Sequence, residues 1–445
     1  MRATGNRLDA SPAAGPAAGF APSRRDEAGG LLRRFLKSLG PGLVTGASDD
    51  DPSGIGTYAI AGASLGYSTL WTALVTFPMM AAAQFICAKV GLVTGRGLAG
   101  VLRQHYPRRL LYPVVAALVV ANSLNAGVDI GAIAAGIRLL VPVPLAAMVL
   151  PITLLILALQ IWGSYRLIAA VFRWLTLALF AYIGSAFFAR PDFAQALRGT
   201  FVPHVRFDGA FLAVLVGLLG TTISPYLFFW QASQEVEEMI AHGRKRLWMR
   251  KGASDAELKY RAWDVNTGMF LSNVVMYFII LATAATLHQA GVTSIPSAAD
   301  AARALEPLAG RGAGILMALG LIGSGFLAVP VLTTSGAYAV CEAFGWKSEL
   351  NARPGRAKQF YAIIVLSTLA GMLINFVGLN PMQALFWVAV INGFLAPPLL
   401  VVLMLIANNQ KVMGQRRNGP LINVVGWLTT VAMFAAAVGL VLTWL

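Results

Sequence analysis

Apolar stretches of about 20 residues or more recur along the chain from residue 40 onward, with mostly short polar connections between them. About 20 apolar residues in helical form cross ~30 Å of hydrocarbon. The pattern predicts an all-α integral membrane protein with about eleven transmembrane helices, at 40–66, 69–94, 112–138, 142–161, 166–188, 209–238, 264–288, 310–341, 358–377, 381–407 and 420–444. The alternating runs of a transmembrane β-barrel are not seen. The longest polar connection, 239–263, is rich in Arg and Lys, and no soluble domain is predicted. Residues 1–35 read as a disordered cytoplasmic tail. Their Ala, Gly, Pro and Arg content includes no apolar core of the kind a secretory signal needs. Residues 36–445 read as one transporter domain.

Two of these helices are predicted to be broken. The first contains Asp51-Pro52-Ser53-Gly54 and the sixth contains Ser224-Pro225-Tyr226. Proline removes a donor and clashes with the preceding turn, and glycine loosens the backbone further. A simple kink is the other reading of each proline. Breaks in helices one and six are separated by five helices, so the second set of five enters the membrane in the opposite sense. That is the pattern of a five-plus-five inverted repeat, with a site at the midplane between two discontinuous helices. Repeat one would span about 40–188, repeat two about 209–407, and 420–444 would be an extra helix.

Composition agrees with the membrane class: 57% of residues are hydrophobic and only 12% are charged, and the mean hydropathy is +0.69. A soluble domain carries about 25% charged residues. The net charge of +15 raises the possibility of nucleic acid. The placement of the charges argues otherwise. With the N-terminus cytoplasmic, 28 of the 34 Lys and Arg fall on cytoplasmic segments and flanking helix ends. This is the positive-inside signal. It predicts a multi-pass protein of the plasma (inner) membrane, with its N-terminus cytoplasmic, its C-terminus extracytoplasmic, lipid as its surroundings and no nucleic-acid partner.

Charges inside the membrane are the candidate chemistry. Asp51 lies roughly 16 Å into the first helix at ~1.5 Å per residue, near the midplane. A carboxylate there costs about 2.5–3.5 kcal/mol on insertion scales. A carboxylate beside unwound backbone carbonyls and a hydroxyl makes an oxygen site for a hard cation. Asp49 and Asp50 precede it, and either line the ion pathway or keep a vestibule wet. Asn122, Asn125 and Asp129 share one face of helix three, as an interhelical seam or a polar face toward the ion path. Gln231, Gln234, Glu235 and Glu238 form a stripe after the second break. A solvated helix end is the favoured reading, and an acidic inner vestibule that draws in cations is the alternative. His105, His204, His242 and His288 have no metal-ligand spacing, and Cys87 and Cys341 read as small core residues.

At these residues the chain resembles the Nramp family of divalent metal transporters, from about residue 36 to the C-terminus. Gly40-Pro41-Gly42 opens helix one as in the family. Asp51-Pro52-Ser53-Gly54 stands at its Asp-Pro-Gly-Asn motif, and Ser224-Pro225-Tyr226 at its Met-Pro-His motif. Asp264, Asn273 and the stretch from Gly323-Ser324-Gly325 to Glu342 look like family positions. The resemblance implies the leucine-transporter fold. It implies that Asp51 is the metal-binding aspartate, that Thr221 and Ser48 offer backbone carbonyls, and that Asn392 lies near a polar ligand position. It also implies no cofactor, since the metal is the cargo.

The departures narrow the expectation. Gly54 replaces the family's asparagine ligand and Ser224 its methionine, so the soft sulfur that favours transition metals is missing. A wider, oxygen-lined site suits Mg²⁺, which keeps several waters. The pattern looks like the Nramp-related magnesium transporters, which also accept Mn²⁺. Tyr226 replaces the histidine of the family's proton route. Only Asp129 remains of two helix-three acids, since Ala132 holds the second place, and helix nine has no interior arginine. Uncoupled import of Mg²⁺ and/or Mn²⁺ by a monomer is therefore expected, with a proton-coupled Mn²⁺/Fe²⁺ symporter as the alternative. An amino-acid carrier of the same fold is disfavoured, because Asp51 would repel a substrate carboxylate. An intramembrane aspartyl protease is disfavoured too, because no Gly-x-Gly-Asp signature surrounds Asp51 or Asp129. The chain is not expected to be an enzyme.

Overall fold

A computed structural model describes residues 41–163, 180–350 and 354–445. The helices that matter for the site are α1 (Pro41–Asp49), α2 (Pro52–Leu65), α3 (Trp71–Thr94), α4 (Leu98–His105), α5 (Arg108–Leu140), α6 (Leu145–Trp162), α7 (Ala181–Phe188), α8 (Phe193–Phe201), α9 (Gly209–Thr222), α10 (Pro225–Ala241), α11 (Asp255–Thr283), α12 (Ala313–Phe344), α13 (Lys358–Met372), α14 (Pro381–Asn408) and α15 (Pro420–Leu442). Among the described residues, nine helical segments are long and apolar enough to cross a membrane. The first predicted span is present as two short helices on either side of Asp50-Asp51. The predicted fifth, 166–188, and the tail, 1–35, lie wholly or largely outside the described residues.

Both predicted breaks are present. α1 stops at Asp49 and α2 begins at Pro52; α9 stops at Thr222 and α10 begins at Pro225. Asp51 and Ser224, the residues before the two prolines, have extended backbones with ψ of 167° and 127°. A residue before proline is biased that way. Proline alone is not enough, however. Pro78, Pro113, Pro151, Pro330 and Pro397 all sit inside continuous helices. They follow Phe77, Tyr112, Leu150, Val329 and Ala396, whereas the two breaks follow Asp51 and Ser224. Short polar side chains can take over the backbone groups that a break sets free.

Helices α5 and α12, the third and eighth predicted spans, lie along one another, and α9 packs on α14. α1 packs on α11 through glycine. A Cβ on Gly46 would run into the Gly268 backbone, and one on Gly268 into Gly42. Small residues permit such close approach between helices in a bilayer.

Three boundaries differ from the sequence reading. The seventh span starts at Asp255, not 264, because a capping box extends it. The Glu257 N–H donates to Ser254 Oγ at 3.2 Å, and Ser254 N–H donates to Glu257 Oε2 at 2.8 Å. α4 and α8 are short helices within segments read as connections. Glu342 accepts from the N–H groups of Gly97 and Gly100 at the start of α4, at 3.1 and 2.9 Å, which anchors that helix to α12.

Candidate metal site

Asp51 caps α2. Its Oδ1 accepts from Ser53 Oγ and from the Gly54 N–H, both at 2.7 Å. Its Oδ2 accepts from Asn125 Nδ2 at 3.2 Å. The side chain is 1% exposed. Local turn geometry thus fixes one carboxylate oxygen, and the third span fixes the other.

The helix-three face divides. Asn122 donates to the Leu332 carbonyl of α12 at 3.0 Å, which is the seam reading. Asn125 reaches Asp51, which is the ion-path reading. Asp129 is buried beside the Ser53 backbone and within electrostatic reach of Asp51. Neither of its oxygens has a hydrogen bond of ordinary length among the described residues.

Hydroxyl groups cover the backbone exposed at the breaks. Ser224 Oγ donates to the Thr221 carbonyl at 2.5 Å, and Tyr226 OH donates to the Ser48 carbonyl at 2.7 Å. Thr221 and Ser48 are the two positions expected to offer carbonyls. Each of these oxygens is already hydrogen-bonded, with its second lone pair left over. Asn392 is buried on α14, next to Gly393, whose backbone lies against Gly220 just before the second break. The absent side chain at Gly54 does not leave an open gap. A Cβ there would stand 3.0 Å from Thr221 Oγ1, 3.3 Å from the Tyr58 hydroxyl and 3.4 Å from the Asp49 carbonyl oxygen. The expected widening at Gly54 is thus corrected: Tyr58, one helical turn on, fills the room. Sequence reasoning missed Tyr58, although the spacing of four residues was there to see.

Asp49 and Asp50 are buried and do not face an open vestibule. Ser272 Oγ of α11 lies 2.7 Å from Asp49 Oδ2 and 3.1 Å from Asp50 Oδ1. One hydroxyl proton cannot serve both carboxylates at once. Among the described residues, no ion pair reaches Asp49, Asp50, Asp51 or Asp129. Four buried carboxylates thus surround one helix break, with no basic side chain among the described residues paired to them.

A second acidic cluster surrounds a buried basic side chain. Arg261 of α11 is 1% exposed. Its Nε lies 2.8 Å from Glu235 Oε2, one terminal nitrogen lies 2.7 Å from Asp264 Oδ2, and the other contacts Glu238. Asp264 Oδ2 also accepts from the Gly42 N–H at 2.8 Å. Gln231 donates to Glu235 at 2.7 Å and accepts from Thr45 Oγ1 at 2.5 Å. These bonds tie α1 to α10 and α11. They correct the solvated-end reading of the stripe: Gln231 and Glu235 are buried, because Arg261 supplies the charge that lets them be. Asn273 serves packing as well. It donates to the Ala73 carbonyl at 2.9 Å and accepts from Thr76 at 3.0 Å.

Cys87 and Cys341 are buried free thiols. Among the described residues, no group of three or more His, Cys, Asp and Glu is arranged to hold a metal by itself. A cation at Asp51 would therefore rest on one carboxylate, neutral oxygens and water.

The fold and the sequence both have counterparts. The chain superposes on the Eremococcus coleocola manganese transporter, in complex with an aromatic bis-isothiourea compound, with a TM-score of 0.71 and 21% identity over 91% of this chain and 86% of that one. A mutant of the same transporter gives a TM-score of 0.67 at 19% identity, over 92% and 87%. The nucleobase-cation-symport-1 family transporter Mhp1, closed around bromovinylhydantoin, gives 0.54 at 13% identity, over 91% of each chain. These likenesses establish the leucine-transporter fold, with its two broken helices. The family model described as natural resistance-associated macrophage protein-like matches residues 42–443. That match spans nearly all of the chain: the chain belongs to the Nramp family of membrane metal transporters, in which the metal ion is cargo and no enzymatic reaction is performed.

Proposed function

We propose that this protein imports Mg²⁺, and accepts Mn²⁺, by alternating access and without proton coupling. The observation that carries the reading is the donor set at the two breaks. Asp51 is the one carboxylate at the heart of the site, and a hydroxyl, Ser224, stands where a thioether would select transition metals. Hard oxygen donors, with no sulfur among them, suit Mg²⁺, which gives up its hydration shell reluctantly. In this reading Asp51 holds the ion. The Ser48 and Thr221 carbonyls and the Ser224 hydroxyl offer neutral oxygen, Gly54 adds no ligand, and Asp50, Asp129, Tyr226 and Asn392 line the way. The Tyr226 hydroxyl is bound to a backbone carbonyl and is a poor proton carrier near neutrality.

An inside-negative potential favours inward movement by ~2.3 kcal/mol per charge per 100 mV, doubled for a divalent ion. With the N-terminus cytoplasmic, the Arg261 cluster latches the cytoplasmic end of α1. Breaking it would let α1 swing away and free the ion inward. The protein works in this account as a monomer in the inner membrane.

Calorimetric titration of the purified protein with Mg²⁺, Mn²⁺ and Ca²⁺ tests the donor argument. Comparable Mg²⁺ and Mn²⁺ affinities support it, and Mn²⁺ binding with no Mg²⁺ binding refutes it. The second reading, proton-coupled Mn²⁺ import, is favoured by the buried Asp129 beside Asp51. A pH-sensitive dye inside vesicles decides between them, since only the coupled carrier acidifies the lumen as metal enters.

A further inference from the structure

The hydroxyls of Tyr58 and Thr221 stand out among the buried polar groups around Asp51. Both side chains are buried. The Tyr58 hydroxyl lies beside Thr221 and within electrostatic reach of Asp49, Asp50 and Asp51. Beyond that pairing, neither hydroxyl has a hydrogen-bond partner among the described residues. Gly54 joins them to the ion site. Its N–H donates to Asp51 Oδ1 at 2.7 Å, and the place of its missing Cβ is 3.0 Å from Thr221 Oγ1 and 3.3 Å from the Tyr58 oxygen. Other threonines in these helices spend their hydroxyls on backbone carbonyls, as Thr57 does on Ser53 at 2.7 Å and Thr222 on Leu218 at 2.8 Å. Thr221 makes no such bond, so its hydroxyl is free to turn a lone pair toward a water beside the ion.

Metal-bound water is a strong hydrogen donor whose own lone pair is spent on the metal. A site that holds a hydrated cation therefore needs acceptors placed one water away from it. A site that strips the cation needs direct ligands instead. Asp51, held by three donors, offers little further acceptor capacity on Oδ1. Two buried hydroxyl oxygens lie next to it, on the two broken spans.

We propose that Tyr58 and Thr221 together form the acceptor pair for the hydration shell of the ion at Asp51, and that this pair sets the preference for a hydrated hard cation. The proposal rests on the metal-transport reading above and deepens it. Tyr58 does not touch the metal. It positions the water that does, and Gly54 matters because a Cβ there would press on both hydroxyls, at 3.0 and 3.3 Å.

The test is calorimetric titration of wild type, Tyr58→Phe and Thr221→Val with Mg²⁺ and with Mn²⁺, alongside a thermal melt of each protein. Loss of an outer-shell partner commonly costs 10–100-fold in metal affinity. Each variant is expected to lose about tenfold in Mg²⁺ affinity while Mn²⁺, which sheds water more readily, changes about threefold or less. Gly54→Ala is expected to move the Mg²⁺ to Mn²⁺ ratio in the same direction. Equal losses for both metals in folded variants, or no loss for either, would overturn the proposal. Absence of Mg²⁺ binding in wild type would instead refute the underlying function, so the two failures are distinguishable.

Discussion

Two acidic clusters, one on the first span and α5 and the other on α10 and α11, have opposite electrostatic outcomes. Around Arg261, three carboxylates meet one guanidinium, which itself is buried. Around Asp51, four carboxylates meet hydroxyls, an amide and backbone N–H groups, with no ion pair among the described residues. Buried charge is tolerated only when paired or neutralised. The first cluster has a cation built in and ties α1, α10 and α11 together, the latch of the proposed function. The second lacks one among the described residues, and in the proposed function the transported cation would complete it. The difference lies in what each carboxylate is paired with: Glu235 and Asp264 are as buried as the four at Asp51, yet they meet a guanidinium.

The comparison can be broken at either end. The largest effect is expected at Asp51. Asp51→Asn keeps the size of the side chain and removes its charge, so calorimetric metal binding and vesicle uptake both fall to background. Retained binding would remove Asp51 from its role as anchor. Arg261→Gln comes next. It strands Glu235 and Asp264 without their cation, and removing one partner of a buried pair typically costs about 3–5 kcal/mol. A thermal melt should show that loss, together with increased labelling of a cysteine placed on the cytoplasmic end of α1. Unchanged stability and labelling would mean that the cluster is not a latch. Asn125→Ala is milder. A hydrogen bond to a charged group is worth about 1.5–3 kcal/mol, so metal affinity is expected to fall by roughly 10- to 150-fold, toward the lower end for a bond of 3.2 Å. The smallest effect is expected for Thr45→Val. It removes one neutral bond of about 1 kcal/mol from the latch, which corresponds to a roughly fivefold shift toward the open form in the same labelling assay.

The chemistry of the breaks is legible in the sequence because it is local. Asp51-Pro52 and Ser224-Pro225 carry both the proline and the polar neighbour that absorbs the freed backbone groups. The continuous helices around Pro78 and Pro330 show that the neighbour matters. The apolar periods located most of the spans within a few residues of their observed ends. Long-range pairing was not legible. Gln231, Gln234, Glu235 and Glu238 read as a wet helix end because nothing nearby in sequence announces that Arg261 folds back onto Glu235 and Glu238. Tyr58 escaped for a related reason: tyrosine in an apolar helix looks like packing until Thr221, from another span, is placed beside it. α4 and α8 are too short to give a membrane signal, and the start of α11 depends on a capping box that lies before its apolar run.

The central claim is that the unpaired cluster at Asp51 receives a hard, partly hydrated divalent cation. The most direct measurement is metal uptake into proteoliposomes held at an inside-negative potential, with Mn²⁺ as the reporter and Mg²⁺ as the competitor. The account predicts that Mg²⁺ competes with Mn²⁺ entry and enters itself, with no acidification of the lumen. Entry of Mn²⁺ that Mg²⁺ neither accompanies nor inhibits would contradict it.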